Sequence, residues 1–196
     1  MMIKVGLTGN IGSGKSYIGK IFSALGVPVY ISDIKARLMM DQNPVLIKRI
    51  KETFGERMYS DGLLDSQALA AVAFESKSKI ELLNSLVHPF VRDDFEKWCR
   101  HHHDKSYVII ESAIVFESGL NKMLDKVITV TAPQKLRMER VKTRDGMTEE
   151  KFLARQQFQL SEEAKAAQSD FVIMNDGLHP LLKQITEIDS TIRNLA

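Results

Sequence analysis

Apolar residues in this chain fall into two patterns, short unbroken runs and longer stretches spaced three or four apart. Ile3-Lys4-Val5-Gly6-Leu7-Thr8 is a short run bounded by glycine and reads as a buried strand. Ile18, Ile21, Phe22 and Leu25 have helical spacing, so a helix is expected from Lys15, closed by Gly26. Val27 to Ile31 predicts a second strand with Pro28 at its start, and Ser32 or Asp33 caps a helix through Met40. Tyr107–Glu111, Lys126–Thr131 and Phe171–Met174 predict three more strands. Helices are expected from Pro133 to Arg144, from Thr148 onward, and from about Pro180 to Asn194. Strands alternating with helices imply an α/β fold, a parallel sheet covered on both faces.

Between Asn43 and His103 the pattern is helical. Val45, Ile47, Ile50 and Phe54 share a face, and Gly55 ends that run. Asp61-Gly62 is a turn, and Asp65 caps a short helix through Phe74. Ser78 with Glu81 forms a candidate capping box, and Pro89 interrupts or restarts the next helix. No strand pair is expected here, so the segment reads as a helical insertion. His101-His102-His103 reads as an exposed helix end rather than a metal site, because consecutive side chains on a helix point in different directions.

Composition narrows the class without naming a chemistry. The 196 residues are 44% hydrophobic and 27% charged, which suits one folded domain and excludes wholesale disorder. A net charge of +2 does not suggest a general nucleic-acid binder, which would show a concentrated basic surface, so no nucleic-acid partner is expected, while local basic patches remain able to hold a phosphorylated small molecule. No apolar run reaches the roughly 18 residues a membrane helix needs. The short apolar N-terminus flows into a Gly-rich loop and is not read as a signal peptide. The single cysteine, Cys99, excludes an intramolecular disulfide and fits a reducing compartment, so a cytoplasmic protein is expected. Oligomeric state is not legible, and a monomer is compatible with all of this.

Gly9-Asn10-Ile11-Gly12-Ser13-Gly14-Lys15-Ser16 matches G-x-x-x-x-G-K-[ST] and lies between a strand and a helix, where a phosphate-binding loop must be. Glycines let the backbone curl so that N–H groups point at phosphate oxygens, and the helix dipole adds positive potential. Lys15 then reaches the β- and γ-phosphates, and the Ser16 hydroxyl is placed to ligate Mg²⁺. ATP with Mg²⁺ is the expected nucleotide form.

The loop alone does not fix the fate of the γ-phosphate. A GTPase needs D-x-x-G, and no glycine here has aspartate three places before it. Asn121-Lys122-Met123-Leu124 begins like a guanine reader but carries leucine where aspartate is required. A small-molecule kinase needs a nucleotide site, an acceptor site and a cationic cover. Asp33, just past the second strand, is either a helix cap or the group that orients an attacking hydroxyl. Glu111, ending the third strand, is either a solvated strand end or a helper of Mg²⁺. Lys135 to Arg155 is rich in cations, and Arg140 and Arg144 share one helical face. Arginines that close on a transferring phosphoryl group stabilise its charge and exclude water.

An ordered set of motifs resembles the dephospho-coenzyme A kinase family over nearly the full length. It comprises the phosphate loop, Asp33 with Ala36-Arg37, Phe54-Gly55, Asp61-Gly62-Leu63-Leu64-Asp65, Leu83-Asn84, His88-Pro89, Phe116-Glu117-Ser118-Gly119-Leu120, Arg140, Arg144, and Asp170-Phe171-Val172-Ile173 with Asn175-Asp176-Gly177. Ile31-Ser32-Asp33 replaces the family's frequent Asp-Ala-Asp, so only the second carboxylate is kept. The resemblance implies a P-loop NTPase fold, three-layer α/β/α with a five-stranded parallel sheet, a helical substrate-binding insertion and a lid. It implies one kinase domain with a core of 1–33, 106–132 and 168–196, an insertion of about 34–105, and a lid of about 133–165. The implied reaction moves the γ-phosphate of ATP to the ribose 3′-hydroxyl of dephospho-CoA, the last step of CoA synthesis. The implied catalytic residues are Asp33, Lys15 and Arg140. Asn10, Ile11, Gly12, Ser13, Gly14, Lys15, Ser16 and Arg144 would hold the nucleotide, and Asp33, His88 and Arg92 the acceptor. The residues alone also admit another small-molecule kinase, acting on a nucleoside monophosphate or a sugar acid, or a non-catalytic nucleotide-binding module.

Overall fold

A computed structural model describes residues 2–196. In chain order the elements are β1 (Ile3–Thr8), α1 (Lys15–Ala24), β2 (Val29–Ile31), α2 (Ser32–Gln42), α3 (Pro44–Phe54), β3 (Tyr59–Ser60), β4 (Leu63–Leu64), α4 (Ser66–Ala73), α5 (Lys77–Arg100), β5 (Tyr107–Glu111), β6 (Lys126–Thr131), α6 (Gln134–Asp145), α7 (Glu149–Gln156), α8 (Glu162–Ala167), β7 (Phe171–Met174) and α9 (Leu181–Arg193). Two compact units emerge. One comprises the chain up to Ile31 together with Cys99–Ala196, the other Ser32–Trp98.

The first unit is built on a five-stranded sheet ordered β2-β5-β1-β6-β7, with every pairing parallel. β5 is buried on both faces, which is why it is a continuous run of buried residues rather than an alternating one, whereas edge strand β7 leaves Val172 and Met174 exposed. On one face Val5, Leu7, Ile109, Ile128, Val130 and Ile173 join Ile18 and Phe22 of α1 and Ile185, Ile188 and Ile192 of α9 in a single core cluster. On the other face the side chains of Val115, Leu124 and Val127 pack over Gly6, and a Cβ there would push the end of Leu124 aside. The register brings Leu7 and Ile31 level with Glu111, and Thr8 level with Thr129. The carboxyl ends of the strands therefore finish together, where α/β proteins bind ligands.

The second unit is mainly helical. Asn43 caps α3 by accepting from the Val45 and Leu46 N–H groups, and Pro44 occupies the first turn where no donor is needed. Asp65 caps α4 in the same way, as the sequence predicts. Three expectations are corrected. A hairpin does occur: β3 and β4 pair antiparallel around Asp61-Gly62, both with positive φ, 51° and 80°. That is a primed two-residue turn, and its strands are too short to show any periodicity. Pro89 neither interrupts nor restarts α5, which runs unbroken through it. Pro89 is exposed, so water can satisfy the carbonyl its ring leaves without a donor. Ser78 with Glu81 is not the cap of α5 either; Ser76 Oγ accepts from Lys79 N–H at 3.3 Å, while Glu81 lies 3.9 Å from Lys77.

Two smaller differences concern the first unit. His101–His103 lie in the turn beyond α5 rather than on its last turn. Helix α8, capped by Ser161, is absent from the sequence reading because its six residues include only three alanines as apolar signal. Among the described residues no helix is long and apolar enough to cross a membrane.

Candidate active site

The chain leaves β1 at Thr8 and turns through Gly9–Gly14 into α1. Gly14 precedes the helix in the left-handed region, φ 93°. A Cβ there would strike Asn175, and one at Gly12, φ 80°, would strike the Arg137 backbone. Glycine is thus required at both positions by conformation and by contact. Lys15 and Ser16 open α1, whose first N–H groups have no partner within the helix and face the dipole's positive end.

Glu111 ends β5 beside that first turn and is almost fully buried. Its Oε1 accepts from Ser16 Oγ at 2.6 Å and lies 3.9 Å from Lys15 Nζ. Of the two readings open in the sequence, a solvated strand end is therefore excluded. No cluster of three or more metal-ligating side chains occurs among the described residues. A hydroxyl and one buried carboxylate are nonetheless a donor set suited to Mg²⁺, which uses few protein oxygens and completes its shell with water and phosphate.

The outward side of the loop is held by fixed donors. Arg137 and Arg140 project from α6, one turn apart. Arg137 is buried; its Nε donates to Ala132 O at 3.0 Å, and its second guanidinium nitrogen donates to Ile11 O and Gln156 Oε1, both at 3.3 Å. Burial lowers its pKa, and Glu162, 3.5 Å away, works against that shift. Arg140 donates to Ser13 O at 3.4 Å and to the Asn175 main-chain and side-chain oxygens at 2.9 and 3.2 Å. Asn175, just past β7, donates its own Nδ2 to Ser13 O at 2.7 Å. Asn10 Nδ2 donates to Leu160 O, and Ile11 N–H donates to Gln159 Oε1, both at 3.0 Å.

Other expected residues are placed as follows. Arg144 is exposed and forms a two-pronged pair with Asp145, at 2.8 and 2.6 Å. In the second unit Asp33 is exposed in the first turn of α2. His88 and Arg92 lie one turn apart on α5. Burial, with Arg92 adding to it, lowers the His88 pKa from 6.5 to about 4, so the imidazole is neutral near pH 7. Arg137, Gln159 and Lys165 were not singled out by the sequence. Arg137 had a signal, three residues before Arg140 on the same helical face. Gln159 and Lys165 had none.

Strand order, loop and the Lys15–Ser16–Glu111 arrangement together define a P-loop kinase. The family model described as dephospho-CoA kinase matches residues 3–180. A dephospho-CoA kinase of Porphyromonas gingivalis is 40% identical over 193 residues, 98% of this chain and 95% of that one. A crystal structure from Thermus thermophilus superposes with a TM-score of 0.83 at 29% identity, covering 100% of this chain and 98% of the other. The dephospho-CoA kinase of Campylobacter jejuni superposes with a TM-score of 0.67 at 25% identity, with the same coverage. The chain belongs to the dephospho-CoA kinase family, and that membership implies ATP as a substrate.

Asn175→Asp keeps an acceptor for Arg140 but sets an oxygen against the Ser13 carbonyl, so it should weaken ATP binding more than Asn175→Ala does. Calorimetric titration of both variants checks the order; equal or reversed effects would show that the Nδ2 bond does not hold the loop. For His88, the unfolded chain takes up a proton near pH 6.5 and the folded chain only near pH 4, so stability falls as pH drops through that window. Urea unfolding across it should show His88→Gln losing less stability than the parent. An imidazole that titrates near 6.5 by NMR would contradict this.

Proposed function

We propose that this chain transfers the γ-phosphoryl group of ATP to the ribose 3′-hydroxyl of dephospho-CoA, giving coenzyme A and ADP. The observation that carries the reading is the pairing of Ser16 with a buried strand-end carboxylate beside Lys15, in a chain of this family. Ser16 and Glu111 would hold Mg²⁺, the carboxylate through water. Bound there, Mg²⁺ supplies charge neutralisation on the β- and γ-phosphate oxygens. N–H groups of Gly12 and of Gly14 to Ser16 line the phosphates, while Ser13 N–H closes the loop on Asn10 O, and Lys15 tracks the γ-phosphate into the transition state.

Asp33 accepts the hydrogen bond of the 3′-hydroxyl and aims an oxygen lone pair at the γ-phosphorus. A new O–P bond forms as the bond to the β–γ bridging oxygen breaks, and Asp33 takes the proton. Support for this role comes from the exposed carboxylate in the first turn of α2, directly after β2. His88 and Arg92, in an insertion of about 34–105, contact dephospho-CoA, the first as a neutral hydrogen-bonding group and the second as a cation. Residues of about 133–165 act as the lid: Arg140 stays at the loop, and Arg144 exchanges Asp145 for phosphate. A buried lone cysteine, Cys99, fits work in a reducing cytoplasm.

Asp33→Asn should lower kcat by at least about a hundredfold, the lower range of general-base effects, with ATP affinity unchanged. Lys15→Ala should weaken ATP binding and kcat together. Steady-state kinetics beside nucleotide titration separates the two, and near-normal turnover in Asp33→Asn would remove that residue from the role.

A further inference from the structure

The phosphate-loop contacts lead back to a buried ammonium that the reaction itself does not use. Lys165, on α8, has no exposed surface. Its Nζ donates to Ala113 O at 2.5 Å and pairs with Glu117 Oε1 at 3.0 Å. The same Glu117 oxygen accepts from Leu160 N–H at 2.7 Å. Leu160 turns its carbonyl to Asn10, and its neighbour Gln159 takes the Ile11 N–H. An unbroken series of hydrogen bonds thus runs from Lys165 through Glu117 and the 159–160 segment to the entry of the loop.

We infer that Lys165 and Glu117 are positioning residues for nucleotide binding: the pair fixes the Gln159–Leu160 segment as a clamp that sets the orientation of Asn10 and Ile11. This rests on the phosphate-loop reading above. Two physical points favour positioning over stability. A buried ion pair is commonly replaceable by apolar residues with little loss of stability, so its charge is better explained by the direction it imposes. Asn10 is also 2% exposed, and its Oδ1 has no hydrogen-bond partner among the described residues. Its side chain is therefore held by the bond to Leu160 O, and a shift of that carbonyl releases it. Lys165 also grips Ala113, two residues beyond Glu111, so the same cation holds the segment leaving β5. Small displacements of groups that orient a reacting ligand are costly even at a distance from the chemistry.

The test is calorimetric titration of Mg²⁺·ATP into Glu117→Ala, Glu117→Gln, Lys165→Met and, as a control, Ile188→Ala from the core of α9, with melting temperatures and steady-state kinetics on each. Glu117→Ala and Lys165→Met should bind ATP about tenfold more weakly, with KM for dephospho-CoA within about twofold of the parent. Glu117→Gln keeps an oxygen for Leu160 N–H and should recover to within about threefold. Ile188→Ala should lose stability while keeping parental ATP affinity. Parental ATP affinity in Glu117→Ala would overturn the inference. So would an equal loss in Ile188→Ala, which would reduce the pair to general stability. Should Lys165→Met fail to fold, the Glu117 pair of variants still decides. A parent protein that binds no ATP would remove the phosphate-loop reading and this inference with it, whereas parental binding with unchanged variants removes this inference alone.

Discussion

A loop that offers its N–H groups to phosphate must put its carbonyls somewhere else. Each of those oxygens needs a donor in a place that does not compete with the nucleotide. Ile11 O is met by Arg137, and Ser13 O by both Arg140 and Asn175. Because the donors come from α6 and from the end of β7, the loop is braced by elements far away in sequence. Gly12 and Gly14 are where that bracing comes closest, with no space for a Cβ. The curl of the loop is thus a property of the whole first unit. Its core holds β1 in register with β5 and β6, and β6 with β7, so that the loop and the residues beyond β5 and β7 share one edge of the sheet.

The same constraint gives the cations near the loop different work. Arg137 is buried and bound to main-chain oxygen, so its charge is spent on architecture. Arg144 is exposed and pairs with the adjacent Asp145, an arrangement that costs little to open. Arg140 lies between these extremes, bonded at the loop yet only half-buried. A spacing of three and four along α6 therefore grades one helical face from buried to exposed.

Sequence reasoning reached the parts of this fold that follow from local chemistry. The five sheet strands are legible because they are short apolar runs, unbroken in β5 where both faces are buried, and the phosphate loop because its glycines and lysine lie close together in sequence. Asp65 and Thr148 as caps follow from their side chains alone. What escaped depends on partners distant in the chain. The β3–β4 hairpin has four strand residues in all, too few for a period, although Asp61-Gly62 marks its turn. Pro89 looked like a break because propensity cannot know that it faces water. Lys165 carries no local signal, since nothing near it in the chain announces that Glu117 and Ala113 will surround it. Glu111 is ambiguous in the sequence because the hydroxyl that donates to it, Ser16, lies 95 residues away.

The central claim is that the braced loop delivers the γ-phosphate to one particular hydroxyl. Its most direct test is ADP release from Mg²⁺·ATP with dephospho-CoA, beside AMP, CMP, gluconate and water alone, with the product's mass measured. The account predicts release that depends on dephospho-CoA and a product heavier by one phosphate. Release driven by another acceptor would keep the kinase and discard the acceptor assignment. ATP binding with no acceptor-dependent release from the folded protein would contradict the account.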